Sequence, residues 1–204
     1  SNFKELSIDI TSNKKWKTRE VILDKKFYIY LPMSIAASFI GTGLMFHQIF
    51  IINEKGWSLE MMANGYILLG IFSIIGLFFG GPIIDKFNTK KVVIFTLFPL
   101  FLAILILIFF DSYLSMLIYL SLLGLNMGIG NPFIGSLWAE LYNLESLGSV
   151  KALLHACGVF ASALSPLIFG YIIDLGFGIL TIATIALIII CISTLLSIIY
   201  QNRK

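Results

Sequence analysis

Ile104-Leu105-Ile106-Leu107-Ile108-Phe109-Phe110 is apolar at every one of its seven positions. A strand with one wet face alternates apolar and polar residues, and the helix of a soluble domain keeps a polar stripe. A run with neither pattern needs apolar surroundings on all sides. Outward from it, no Asp, Glu, Lys or Arg occurs between Val92 and Phe110, and five further stretches are equally free of charge: Phe27 to Ile52, Met61 to Ile84, Ser112 to Ala139, Ala152 to Ile173 and Leu175 to Asn202. Each reaches or exceeds the roughly 20 residues that a helix rising about 1.5 Å per residue needs to cross a hydrocarbon core about 30 Å thick. Barrel strands would alternate over about ten positions. The expectation is an all-α membrane protein with six transmembrane helices. A composition 58% hydrophobic and 12% charged, with a mean hydropathy of +0.96, excludes a water-soluble fold.

Basic residues near span ends stay in the cytoplasm. Lys4, Lys14, Lys15, Lys17, Arg19, Lys25 and Lys26 precede the first span; Lys86, Lys90 and Lys91 follow the second, Lys151 follows the fourth, and Arg203 and Lys204 end the chain. The opposite side holds Lys55 alone. Both termini are therefore expected in the cytoplasm, and the net charge of +3 reports topology rather than nucleic-acid binding. Residues 1–26 read as a cytoplasmic linker segment and 27–204 as a six-helix transmembrane domain. Within the linker, Thr18 is placed to cap a short helix from Arg19 to Lys26, and Trp16 suits the lipid headgroup layer. Trp57 and Trp138 are expected as further interface anchors. Cys157 and Cys191 lie in apolar spans without metal-ligand spacing, so neither a disulfide nor a zinc site is expected. No metal or cofactor is expected elsewhere. The chain opens on Ser1, and a piece of a longer protein is the expectation.

The second span ends Gly81-Pro82-Ile83-Ile84-Asp85 and the fifth Gly170-Tyr171-Ile172-Ile173-Asp174. Gly-x-Ile-Ile-Asp thus falls at the same place in two three-helix units that an odd span count forces into opposite orientation. Two inverted three-helix repeats are expected. Gly41-Thr42-Gly43 in the first span, and Gly124, Gly128, Gly130, Pro132 and Gly135 with Asn126 and Asn131 in the fourth, mark cavity-lining helices. The third and sixth are greasy throughout and read as peripheral.

The loop Gly81-Pro82-Ile83-Ile84-Asp85-Lys86-Phe87-Asn88-Thr89-Lys90-Lys91 resembles the Gly-x-x-x-Asp-(Arg/Lys)-x-Gly-x-(Arg/Lys)-(Arg/Lys) loop of the major facilitator superfamily, matching five of six defined positions, with Asn88 where the family has Gly. Asn tolerates positive φ better than other non-Gly residues, so the turn survives. Phe46-His47-Gln48 with Lys55-Gly56-Trp57-Ser58, and Leu137-Trp138-Ala139-Glu140-Leu141-Tyr142 with Leu147-Gly148, are similar to bacterial members. The wider shape resembles monocarboxylate and oxalate-formate type carriers, although the second span lacks the Arg that some of these use for anions. The resemblance implies the C-terminal six-helix half of a secondary transporter in the plasma (bacterial inner) membrane, moving a small-molecule solute by alternating access, with an organic anion as the candidate solute. Its partners would be membrane lipid and a second six-helix half, from the same polypeptide or a dimer mate. It further implies a conformational latch formed by Gly81, Asp85, Lys86, Lys90 and Lys91.

Polar side chains in hydrocarbon usually face a bundle interior or water. His47 and Gln48 in the first span, with Asn126 and Asn131 in the fourth, are the candidate substrate-binding residues. His155 and Ser162 are candidates for lining the pathway, with Ser165 near the same face. A structural histidine and helix-to-helix hydrogen bonds are the competing readings of these positions. Two other protein classes stand beside transport: a non-transporting or self-dimerising six-helix protein, and an intramembrane serine hydrolase built on Ser136 and His155. The chain is not expected to be an enzyme: Gly135-Ser136-Leu137-Trp138 lacks the second small residue of Gly-x-Ser-Gly, and neither a His-Glu-x-x-His run nor a phosphate-binding Gly-rich loop occurs.

Overall fold

The structure, a computed structural model, describes residues 15–87, 89 and 94–202. Within these residues the chain forms α1 (Thr18–Leu23), α2 (Lys25–Phe46), α3 (Gln48–Lys55), α4 (Leu59–Phe87), α5 (Phe98–Phe109), α6 (Tyr113–Tyr142), α7 (Leu147–Asp174) and α8 (Ile179–Asn202), with a 3-10 turn at Leu144–Ser146. Every regular element is helical, as backbone in hydrocarbon requires when it has no water to bond. α2, α4, α6, α7 and α8 are long and apolar enough to cross a membrane.

The third expected span is interrupted within the described residues: Ile94 is helical, a turn follows, and α5 begins only at Phe98. α5 has 12 residues and so rises about 18 Å, short of a hydrocarbon core about 30 Å thick. Pro99 stands in its first turn, behind a turn at Phe95–Leu97. Hydropathy is blind to this, because Pro99 is apolar yet ends helix propagation toward the N-terminus. The first stretch is also divided. His47 (φ −96°, ψ 23°) breaks it into α2 and α3, and α3 ends on Gly56 at φ +64°, a left-handed turn that favours glycine. Before it, α1 closes at Leu23 instead of running to Lys26, and Lys17 rather than Thr18 holds the cap position. Extended Asp24 intervenes and caps α2, its Oδ1 accepting the Lys26 N–H at 3.0 Å.

Two helix pairs are intimate: α4 with α6, and α2 with α7. Glycine makes the first possible. A Cβ at Gly124 would collide with the Leu69 carbonyl, one at Gly128 with the Ser73 carbonyl, and one at Gly76 would stand 2.8 Å from the Leu125 carbonyl oxygen. Backbone meets backbone along this seam, the small-residue packing that drives association where lipid competes with every apolar contact. Gly43 plays the same part in the second pair, against Ser165 and the Phe169 ring. α5 packs on α6 and α8, and α8 on α2. These outer helices are less peripheral than their sequence suggests: Leu100, Ala103, Ile104 and Leu107 of α5 and Ile182, Ala183, Ala186 and Ile190 of α8 are buried, while Phe109, Leu180, Ile188 and Ile192 are exposed. Exposed apolar surface on this scale needs lipid.

The loop ends farthest from α1 are pinned by polar contacts. Lys55 Nζ pairs with Asp111 at 2.5 Å, the Trp57 indole N–H donates to the Asp111 carbonyl at 2.7 Å, and Glu54 accepts the Ile179 N–H at 2.6 Å, capping α8 across the bundle. Trp57 is buried in this contact between two loops.

Two outcomes test this packing. Gly128→Leu should cost several kcal/mol, since the opposing Ser73 carbonyl belongs to a helix backbone that cannot step aside; a detergent-solubilised variant melting with the parent would refute the seam. Glu54→Ala should cost about 1 kcal/mol, the usual worth of a helix cap, read as a small drop in the melting midpoint.

Candidate functional site

Because α6 is drawn onto α4 and α2 onto α7, the faces of α2, α6 and α7 that look at one another stay apart. A cavity of about 1070 Å³ fills the gap. Small residues widen it: Ala37 and Gly41 on α2, Gly130 and Gly135 on α6, and Gly158 on α7 all lie in its wall.

Each wall is a stripe at helical spacing. On α2, Ser34, Ser38 and Thr42 follow at i, i+4 and i+8; on α7, Lys151, His155 and Ser162 at i, i+4 and i+11; on α6, Met127, Asn131, Ile134 and Trp138. Lys151 Nζ lies across Gly135, 3.7 Å from where a Cβ on that glycine would stand, and Ser38 Oγ lies 3.8 Å from the corresponding point on Gly158. Among the described residues Lys151 is the one fully charged side chain of the lining, and no ion pair to it occurs. The Ser162 hydroxyl donates to the Val159 carbonyl at 2.8 Å, which leaves its lone pairs free. Asn131 is exposed to the cavity.

Asn126 is a different case. It is buried, and its Nδ2 donates to the Thr96 carbonyl at 2.8 Å, tying α6 to the turn before α5. The neighbouring Thr96 hydroxyl is buried without a partner among the described residues. Trp138, expected at a membrane interface, is fully buried and forms the end wall: its indole N–H donates to Ser34 Oγ at 3.0 Å, and its ring stacks on Tyr142 at 5.8 Å and 8°.

The structure thus gathers Asn126, Asn131, His155 and Ser162 around one cavity and leaves His47 and Gln48 outside its lining. His47 Nδ1 closes on the Gly43 carbonyl at 3.0 Å, which also accepts the His47 N–H at 3.2 Å, and Nε2 points toward Gly170 of α7. The Gln48 amide oxygen accepts from the Tyr66 hydroxyl on α4. Both sit about a turn beyond Met45, which does line the cavity. Gly81, Asp85 and Lys86 lie near the end of α4, the latter two exposed, with Lys86 Nζ 5.4 Å from the Phe87 ring centroid. Lys90 and Lys91 lie outside the described residues. Ser136 donates back to the Phe133 carbonyl of its own helix at 2.9 Å, an arrangement without the base a nucleophile needs.

Lys151, Ser34 and Ser38 escaped the sequence reading, whereas Thr42 lies in the Gly41-Thr42-Gly43 run that marked its helix. Lys151 counted as a loop charge, yet its spacing to His155 and Ser162 places it on their stripe.

No individually curated protein matches the chain. The sequence profile of the Major Facilitator Superfamily matches residues 27–204, from the start of the first apolar helix through α8. With its apolar helices packed around an open cavity, the chain belongs to the Major Facilitator Superfamily, a family of multi-pass membrane proteins that carry out secondary transport of small solutes.

Proposed function

We propose that the chain is one six-helix half of a secondary transporter that moves a small organic anion by alternating access, with the cavity between α2, α6 and α7 as its solute site. The observation that carries the reading is Lys151, the one fully charged side chain of the lining among the described residues, on the α7 stripe with His155 and Ser162 and in the same cavity as Asn131 of α6. Lys151 is exposed and carries no ion pair among the described residues, so its ammonium is open to an anion entering the cavity, and a bound anion would supply the counter-charge. The apolar remainder of the wall, including Met127, Ile134 and Val159, suits an organic body. Monocarboxylates and related acids are the class that the family resemblance favours.

The helix partners support two inverted three-helix repeats. The first span packs on the fifth as the fourth does on the second, and the sixth packs on the first as the third does on the fourth. Exchanging the two units maps this pattern onto itself, and Asp85 and Asp174 then fall at equivalent helix ends. A second six-helix half, from the same polypeptide or a dimer mate, would close the cavity from its open side. Rocking of the two halves would expose the solute to one side and then the other. Asp85 and Lys86 would serve as a latch released in one of the two states, together with Gly81, Lys90 and Lys91. His47 and Gln48, beyond the cavity, would meet the solute when its far side opens. Thirteen of the 14 Lys and Arg on one side support cytoplasmic termini, and the likeness to bacterial members supports the bacterial inner membrane.

The full-length protein in vesicles should take up organic acids from a panel of acids, amino acids and neutral drugs. Lys151→Gln and Asn131→Ala should each raise KM for the carried anion about tenfold or more, the equivalent of about 1.4 kcal/mol of lost binding, whereas Lys151→Arg should stay near the parent. Unaltered KM in both variants would remove the cavity as the solute site. Asp85→Asn should instead lower the maximal rate and leave KM nearly unchanged, as loss of a latch outside the cavity predicts.

A further inference from the structure

The segment from Lys15 to Lys26 has two unlike faces. Its inner face is clamped to the ends of α6 and α7. The Trp16 ring meets Tyr142 edge-on at 5.2 Å, the Trp16 N–H donates to Ser146 Oγ at 2.7 Å, Val21 is fully buried, and Asp24 Oδ2 accepts from the Tyr142 hydroxyl at 3.1 Å. Both acids of the segment are engaged locally, since Glu20 accepts the Lys17 N–H at 2.9 Å while Asp24 caps α2.

The outer face carries the opposite chemistry. Lys15, Lys17, Arg19 and Lys25 are exposed, and among them Ile22 is 39% and Leu23 73% exposed. Arg19, Ile22 and Leu23 share one side of α1 by helical spacing. Four cations around two bare aliphatic side chains satisfy neither water nor hydrocarbon. They suit the boundary between the two, where Leu enters the acyl region and Lys and Arg reach phosphates. The segment runs straight into α2, whose membrane-crossing stretch begins at Lys25, so continuity of the chain sets it at that boundary.

We propose that this outer face docks on anionic phospholipid headgroups, and that the clamp on its inner face transmits the docking to Tyr142 and Trp138, the end wall of the cavity. The partner is a negatively charged lipid surface: a neutral headgroup would leave the four cations uncompensated. The inference does not depend on which solute is carried, or on transport itself.

The test uses the full-length protein with Cys157→Ala and Cys191→Ala, an environment-sensitive fluorophore on Leu23→Cys, and vesicles of phosphatidylcholine with or without phosphatidylglycerol. Emission should shift to the blue, and shielding from an aqueous quencher should rise, only with the anionic lipid. Removing cations through Lys15→Gln, Lys17→Gln and Arg19→Gln should weaken the response by about fivefold per charge, the worth of one basic residue at such a surface. Raising the salt concentration on the unsubstituted basic segment should do the same, with no risk of misfolding. A label that stays wet in both lipids, as it would if the face served an acidic soluble partner, overturns the proposal. So does one equally shielded in both, or a response indifferent to the three substitutions and to salt.

Discussion

Between α4 and α6 the two backbones touch, and the shape of the bundle follows from that contact. In lipid no hydrophobic gain rewards one helix for meeting another, so association falls to dispersion and to the weak bonds available at close range. Gly76 on α4 and Gly124 and Gly128 on α6 provide that range, each set against a carbonyl or Cα of the opposite helix. A helix pulled so firmly to one side retreats from its other neighbours. α2 is drawn in the same way onto α7 through Gly43, and the cavity is the space that the two unions leave between them.

Polar groups are distributed according to what each place lets them bond. Where helices meet tightly, several polar groups pair across them, as Asn126 does with the Thr96 carbonyl and Trp138 with Ser34, while the Ser165 and Thr96 hydroxyls are buried without a partner among the described residues. At helix ends, Asp24 and Glu54 cap neighbouring backbone. Along the cavity the rule relaxes: Asn131, His155 and Lys151 are exposed. Polar groups left open to one cavity along membrane-spanning helices are the bonding capacity that a solute path would require.

The bundle was legible in the sequence because charge is prohibitive in hydrocarbon, and its absence over long stretches marks spans directly. Interruptions inside those stretches were not, since they arise from apolar or weakly polar residues. Pro99 shortens α5 without adding a charge, and at the break the His47 ring nitrogen turns back onto the Gly43 carbonyl four residues earlier, a local side-chain bond that hydropathy does not register. Half of the cavity wall was legible in the same sense. Asn131, His155 and Ser162 stand out as polar within apolar runs, whereas Ser34 and Ser38 are too common in membrane helices to draw notice, and Lys151 was hidden by its nearness to a span end. Trp138 misled for a related reason: tryptophan near a boundary resembles an anchor until its indole N–H is seen to have an interior acceptor.

One wall of the cavity is shared with the segment that precedes the first span. Ser34 bonds Trp138, Trp138 stacks on Tyr142, and Tyr142 holds Asp24 and meets Trp16. The contacts run without a gap: Trp138 and Tyr142 are fully buried, their polar tips bond Ser34 and Asp24, and the half-buried Trp16 ring closes on Tyr142. A shift of the basic segment would therefore bear on the end of α6, which carries Trp138 of the cavity lining. A loose tether would have left the two independent, while this continuous packing makes the approach to the membrane surface part of the cavity's own geometry.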